Sequence, residues 1–173
     1  VNHNIPDSVG LSIKTPIGQV IHTGDWKFDH TPVNEVQTEF HKIASFGGEG
    51  VLALMSDSTN AIKPGYSQSE KEIGRTMDRI FQDAKGRIVF TSFSSLIARI
   101  QQVFDLSAKY NRKVIVTGRS IVNTLETAIS MGYIKIQPKI IIKSEQASKY
   151  PDNQILILST GGQGEESSQL ARM

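Results

Sequence analysis

His3 and Asp25 are the residues of this chain best suited to metal chemistry. They stand in Asn2-His3-Asn4-Ile5-Pro6-Asp7-Ser8 and His22-Thr23-Gly24-Asp25. Between them lies Val9 to Ile21, which reads as two strands folded over Thr15-Pro16-Ile17-Gly18. Paired strands lie only about 4.8 Å apart, so a tight hairpin can bring its two ends together. An imidazole and a carboxylate form the ligand mixture that suits zinc or a similar divalent ion. Two ligands do not complete a site, and the plainer reading is a surface histidine and a turn aspartate. Asp57, after the apolar run Val51-Leu52-Ala53-Leu54-Met55, is placed to orient a histidine or hold a metal. An ordinary turn cap is the alternative. His22 reads as structural and Asp29 as a turn residue, while His30 and His41 fall in a segment without pattern and are assigned nothing.

A second kind of chemistry is suggested by four small polar loops. They are Ser56-Asp57-Ser58-Thr59-Asn60, Ser92-Phe93-Ser94-Ser95, Gly118-Arg119-Ser120 and Ser159-Thr160-Gly161-Gly162-Gln163-Gly164. Hydroxyls, glycine amides, one arginine and helix N-termini together make an anion cradle. Each loop follows an apolar run, and parallel sheets bind ligands outside the carboxyl ends of their strands. Neither Gly-x-Gly-x-x-Gly nor a Gly-Lys-Ser/Thr P-loop occurs, which disfavours a dinucleotide or ATP site.

The elements that must position these residues change character along the chain. Residues 9–24 read as a hairpin. Val36 to Ala44 reads as a short helix, and Gly47-Gly48-Glu49-Gly50 as a boundary. From residue 51, strands and helices alternate. Val51–Met55 reads as a strand buried on both faces. Ser67 with Glu70 reads as a capping box opening a helix whose inner face is Ile73, Met77, Ile80, Phe81 and Ala84. Arg87–Thr91 and Lys113–Thr117 are further strands, with Ile140–Ile142 a short one and Gln154–Leu158 the last. Ser94 or Ser95, and then Ser120, are expected to cap helices with inner faces Ile97, Ile100, Phe104, Ala108 and Ile121, Leu125, Ala128, Ile129. A final helix is expected near Glu165. The fold class is α/β, a Rossmann-like parallel sheet flanked by helices.

The composition is that of a globular domain, with 173 residues, 38% hydrophobic and 21% charged. There is no cysteine, which excludes disulfides, thiolate metal sites and a cysteine nucleophile and fits a reducing, cytoplasmic setting. No apolar run approaches the roughly 20 residues a bilayer requires. A net charge of +2 does not by itself point to nucleic acid. Lys85, Arg87, Arg112 and Lys113, each just before an apolar run, would gather at one end of the sheet as a local basic surface; the plainer reading is solvated charges at strand starts. The first residue is Val1, and the chain reads as a processed product or a piece of something longer.

Five motifs in order carry a specific resemblance. They are His3-Asn4-Ile5-Pro6-Asp7-Ser8, His22-Thr23-Gly24-Asp25-Trp26-Lys27-Phe28-Asp29, Ser56-Asp57-Ser58-Thr59-Asn60-Ala61, Gly118-Arg119-Ser120 and Ser159-Thr160-Gly161-Gly162-Gln163-Gly164-Glu165. Together they resemble bacterial ribonuclease J, the metallo-β-lactamase-fold nucleases that carry a β-CASP domain. The resemblance implies a partial metallo-β-lactamase segment at 1–50 and a β-CASP domain at 51–173. It implies a two-zinc centre hydrolysing RNA phosphodiester bonds, both from the 5′ end and internally. His3 matches a metal ligand, Asp25 the carboxylate that bridges the two metals, and Asp57 the acidic residue that steadies a catalytic histidine outside this chain. Phe93, Ser94 and Ser95, with Arg119 and Ser120, match positions that hold the terminal phosphate and its nucleotide.

This chain departs from the family's Phe-Ala-Ser-Asn-x-His-Arg at Leu96 and Ala98, and from its Glu-Pro at Glu165-Glu166. The family's His-x-His-x-Asp-His motif would fall before Val1 and its later histidine motifs after Met173. The isolated chain is therefore expected to be inactive. RNA is the implied partner, together with a second copy or a ribonuclease J paralogue, and no membrane. Two rival readings are a non-catalytic partner subunit of such a complex and a free-standing phosphate- or nucleotide-binding module.

Overall fold

A computed structural model describes residues 1–33, 36–161 and Leu170. The chain divides into two compact units, Val1–Ile73 and Gly74–Met173. Among the described residues, no helix is long and apolar enough to cross a membrane.

The first unit is built on the expected hairpin. Strands β1 (Leu11–Thr15) and β2 (Gly18–His22) pair antiparallel, with Leu11 opposite His22 and Thr15 opposite Gly18. A Cβ at Gly18 would stand 2.8 Å from the Leu52 Cβ, so only glycine fits where β2 begins. Helix α1 spans Phe40–Glu49, starting later than the expected Val36. The reason lies upstream. Asn2 donates its backbone N–H to Thr38 Oγ1 at 2.9 Å and its side-chain amide to the Val36 carbonyl at 2.8 Å, which holds that backbone out of a helix.

Strand β3 (Ala53–Met55) corrects the sequence reading. It pairs parallel with β2, completing a sheet of order β1-β2-β3, and is not a strand of the larger parallel sheet. Its side chains, with Leu52, are exposed. A continuous apolar run signals surface meant to be covered. It does not say which sheet the strand joins.

The second unit is the Rossmann-like part. β4 (Ile88–Thr91), β6 (Ile155–Ser159) and β5 (Lys113–Thr117) form a wholly parallel sheet in the order β4-β6-β5. Central β6 carries Ile155, Leu156 and Leu158, all fully buried, as expected of a strand with neighbours on both edges. Helix α2 (Glu70–Asp83) precedes β4, α3 (Ile97–Lys109) links β4 to β5, and α4 (Arg119–Ser130) follows β5. Phe104, Ile100 and Val103 of α3 and Ile121 of α4 are almost completely buried, and Met77 and Phe81 of α2 are buried too. Ile80, expected inside, is exposed. Ile140–Ile142 contributes only a bridge from Ile141 to Val114, and the helix expected near Glu165 lies outside the described residues.

The helix starts also differ from expectation. α2 begins one turn's edge later than Ser67 implied, with Ser69 Oγ accepting the Lys71 N–H at 3.2 Å. Leu96 precedes α3 and Gly118 precedes α4, neither with a side-chain cap. Ser95 instead offers its carbonyl to the Ile97 N–H at 2.8 Å. Arg87, Arg112 and Lys113 stand at one end of the sheet as expected, but each is engaged separately. Arg112 is buried and donates to the carbonyls of Ala84 at 2.7 Å, Gly86 at 3.0 Å and Ile155 at 3.4 Å. Arg87 pairs with Asp152 at 2.9 Å, and Lys113 Nζ donates to the Lys139 carbonyl at 3.0 Å.

Candidate functional site

In the first unit, hydrogen bonds from backbone and hydroxyl groups gather the segments carrying His3, Asp25 and Asp57. Lys27 N–H donates to the Asn2 carbonyl at 2.9 Å, and Ser8 Oγ donates to the Asp25 carbonyl at 3.0 Å. These contacts close the hairpin's two ends on each other. The turn leading into Asp25 depends on Gly24, whose φ is 63° and whose added Cβ would lie 2.6 Å from the Val9 carbonyl oxygen. His22, expected to be structural, accepts the Gly24 N–H on Nδ1 at 3.0 Å and so helps to shape that turn.

Asp57 is held from three sides. Its N–H donates to Thr23 Oγ1 at 3.0 Å, and Thr23 N–H donates to the Met55 carbonyl at 3.0 Å. Its carboxylate accepts Thr59 N–H at 2.9 Å, Thr59 Oγ1–H at 2.7 Å and Trp26 N–H at 3.5 Å. The two Thr59 donors chiefly, then the Trp26 amide and the nearby His3 charge, outweigh partial desolvation and lower its pKa below the ordinary aspartate value. Asp57 is thus an ionised carboxylate beside the His3 segment. It also forms the turn cap that the plainer reading foresaw.

Among the described residues there is no group of three or more His, Asp or Glu side chains able to hold a metal ion. The donors that are present suit zinc in kind. His3 Nδ1 is buried without a hydrogen-bond partner, as is the neighbouring Asn4 Oδ1, while Asp25 is exposed. They are too few to enclose an ion by themselves.

Two residues assigned little from sequence do more than expected. Asp29 is buried, and its carboxylate accepts the Thr31 N–H at 3.0 Å and the Glu70 N–H at 3.2 Å. His30 stacks on Phe40, whose ring also stacks on Phe28. The Asp-x-Thr turn is legible in sequence; the partner at Glu70 is not.

The second unit places three of the four polar loops at the carboxyl edge of one sheet. Thr91, Ser159 and Thr117 stand side by side in register across β4, β6 and β5. Beyond them Ser92 is buried, donates its N–H to the Ser159 carbonyl at 3.1 Å, and leaves its hydroxyl without a partner. Ser94 Oγ meets Ser120 Oγ at 2.9 Å, which joins the loops at the starts of α3 and α4. Phe93, Ser95 and Arg119 are exposed. Hydroxyls, two helix N-termini and a guanidinium suit an anion. The fourth loop, Ser56–Asn60, belongs to the first unit, because β3 joins that sheet, and Gly162-Gln163-Gly164 lie outside the described residues.

Comparison with known proteins identifies a family. Residues 85–173 match the family model described as the β-CASP domain of ribonuclease J. Ribonuclease J of Helicobacter pylori strain 26695 is 45% identical over 173 residues, covering all of this chain and 25% of that protein. Ribonuclease J of Thermus thermophilus is 44% identical over the whole chain, which covers 30% of it. Ribonuclease J2 of Bacillus subtilis is 40% identical over 171 residues, 99% of this chain and 31% of that protein. The chain therefore spans only a quarter to a third of these relatives. A crystal structure of a protein of unknown function from Enterococcus faecalis superimposes with a TM-score of 0.59 at 16% identity, over 94% of this chain and 40% of that one, a likeness of fold alone.

Proposed function

The chain belongs to the ribonuclease J family through its β-CASP domain, and from that premise we propose that it is part of a metal-dependent RNA phosphodiester hydrolase with both 5′–3′ exonuclease and endonuclease action in the cytoplasm. Residues 1–50, with β3 that pairs onto them, are read as a segment of a metallo-β-lactamase domain. His3 would bind a zinc ion and Asp25 would bridge a pair. The metals, when bound, supply Lewis acidity toward the scissile phosphate. Asp57 would hold a histidine from outside this chain in place, a role suited to a carboxylate already fixed and ionised by Thr59 and Trp26. Phe93, Ser94, Ser95, Arg119 and Ser120 would receive the terminal phosphate and its nucleotide. Leu96 and Ala98 supply no hydrogen-bonding side chain beside it, so recognition there would rest on the phosphate more than on the base. A second copy or a paralogous subunit is the proposed assembly partner.

The observation that carries this reading is the convergence of the His3, Asp25 and Asp57 segments through the Asn2–Lys27, Ser8–Asp25 and Thr23–Asp57 hydrogen bonds. With so few metal donors, the 173-residue chain alone should not cleave RNA. Incubation with 5′-monophosphorylated RNA, with zinc or manganese and with a chelator, tests this. Robust chelator-sensitive cleavage by the isolated chain would overturn the fragment reading. Saturable binding of free mononucleotides by the isolated chain would favour a free-standing nucleotide-binding module instead.

A further inference from the structure

The loop that carries Asp25 is tied to helix α2 by a cluster of buried charges. The side chains of Lys27, Asp29 and Glu70 are only 14%, 2% and 7% exposed. Lys27 Nζ stands 3.3 Å from Glu70 Oε1 and 3.7 Å from Asp29 Oδ2. The start of α2 adds further positive partial charge beside these carboxylates. Asp29 Oδ2 accepts the N–H of Glu70, the first residue of the helix, at 3.2 Å. A helix N-terminus carries about half a positive charge. Asp29 thus terminates a helix that begins 41 residues further along the chain.

Hydroxyls add a second attachment. Ser69 Oγ donates to the Thr31 carbonyl at 2.8 Å and lies 2.9 Å from Thr31 Oγ1. At its other end the same loop is bound to Asn2 through Lys27 N–H and to Asp57 through Trp26 N–H. The five residues from Asp25 to Asp29 are therefore strung between the candidate metal segment and the helix.

We propose that Lys27, Asp29 and Glu70 are positioning residues whose ion cluster clamps the Asp25 loop to the first turn of α2, which lies in the same unit, so that this turn sets where Asp25 presents its carboxylate. The bearing on metal binding rests on the reading of Asp25 given above; the clamp does not.

Amide hydrogen exchange on the whole 173-residue chain tests it. Asp29→Asn keeps the size of the side chain but removes its charge, and Lys27→Gln removes the shared cation. Either should speed exchange at the hydrogen-bonded amides of Trp26, Lys27 and Thr31 by about tenfold or more, leaving α3 and α4 at wild-type rates. Lys27→Arg, which keeps the cation, should restore protection, and Lys14→Ala, which breaks an exposed pair with Glu49, should not disturb it. If Asp29→Asn does not fold, Lys27→Gln against Lys27→Arg makes the same comparison. Wild-type exchange at those three amides in the folded variants would overturn the clamp. In a longer protein that includes the flanking segments of its relatives, Asp29→Asn should also weaken zinc binding measured by calorimetry. Lost protection with unchanged zinc affinity would overturn Asp25 as a ligand and leave the clamp standing.

Discussion

Burial alone would push the Asp29 carboxyl toward its neutral form, yet the Thr31 amide, the Ser69 hydroxyl, the Glu70 amide and the Lys27 charge together hold its pKa below the ordinary 3.8. The sign of the consequence follows. A carboxyl with a lower pKa folded than unfolded stabilises the native state fully above the unfolded value, and that contribution is lost as pH falls below 3.8 through the folded value. Asp29→Asn should therefore flatten the acid limb of a plot of urea midpoint against pH; an acid limb as steep as the wild type's would count against the bonding described. Arg112 presents the opposite chemistry, a buried cation whose pKa burial lowers. Its terminal nitrogens donate to three backbone carbonyls, while its Nε is buried without a partner. Arg112→Met keeps the stem but leaves those carbonyls short of donors, so a loss of about 2 kcal/mol is expected in chemical denaturation. Neither environment was legible in the sequence. Asp29 looked like a turn residue and Arg112 like a surface charge, because both partners are backbone groups brought up from 26 to 43 residues away.

At the scale of elements, periodicity located the helices well and their first residues less well. The sequence Ser67-Gln68-Ser69-Glu70-Lys71-Glu72 holds two serines, each followed three residues later by a glutamate, so a capping box can be drawn from either. The choice is made by tertiary contact, since Thr31 engages Ser69 and Asp29 takes the Glu70 amide. Ser69→Ala should accordingly cost about 1 kcal/mol, as removal of a helix-capping hydroxyl does, and Ser67→Ala close to nothing. Thermal denaturation of the two variants side by side checks this, and equal losses would refute the assignment. The strands of the second unit were read nearly residue for residue, because β-branched and leucine runs bounded by Gly and charged residues have few other readings. β3 was placed in the wrong sheet for a related reason. A short apolar run specifies burial, whereas its partner strand is specified by register with residues more than thirty positions away.

For the whole molecule, the legible part of the candidate site was its residue types, and the illegible part was its division. His3, Asp25 and Asp57 come together in the first unit, and the hydroxyl row Thr91–Ser159–Thr117 belongs to the second. The sequence offers Asp57 both roles, a partner to a histidine or metal and a member of the polar loops, and the fold sets it in the first unit with His3 and Asp25. The reassignment of β3 gives the first sheet an unusual surface. Leu11 and Ile13 of β1, then Leu54 and Met55 of β3, are about half exposed or more, and Leu52 beside them is 57% exposed. By register Leu11, Ile13 and Met55 lie on one face of this small sheet and Leu54 on the other, so both faces carry apolar surface of the kind that monomeric proteins cover. β1 is also an edge strand of that sheet among the described residues, with its outer backbone groups open to pairing. The isolated chain should therefore self-associate reversibly as its concentration rises. Leu54→Lys, on the exposed β3, should reduce the association without altering far-ultraviolet circular dichroism, because that side chain is 63% exposed and contributes little to the core. Val103→Lys, at a fully buried position of α3, should instead unfold the second unit. Sedimentation velocity over a concentration series decides the matter: a chain that stays monomeric throughout, or a Leu54→Lys variant that associates like the wild type, would show that this sheet is not the sticking surface.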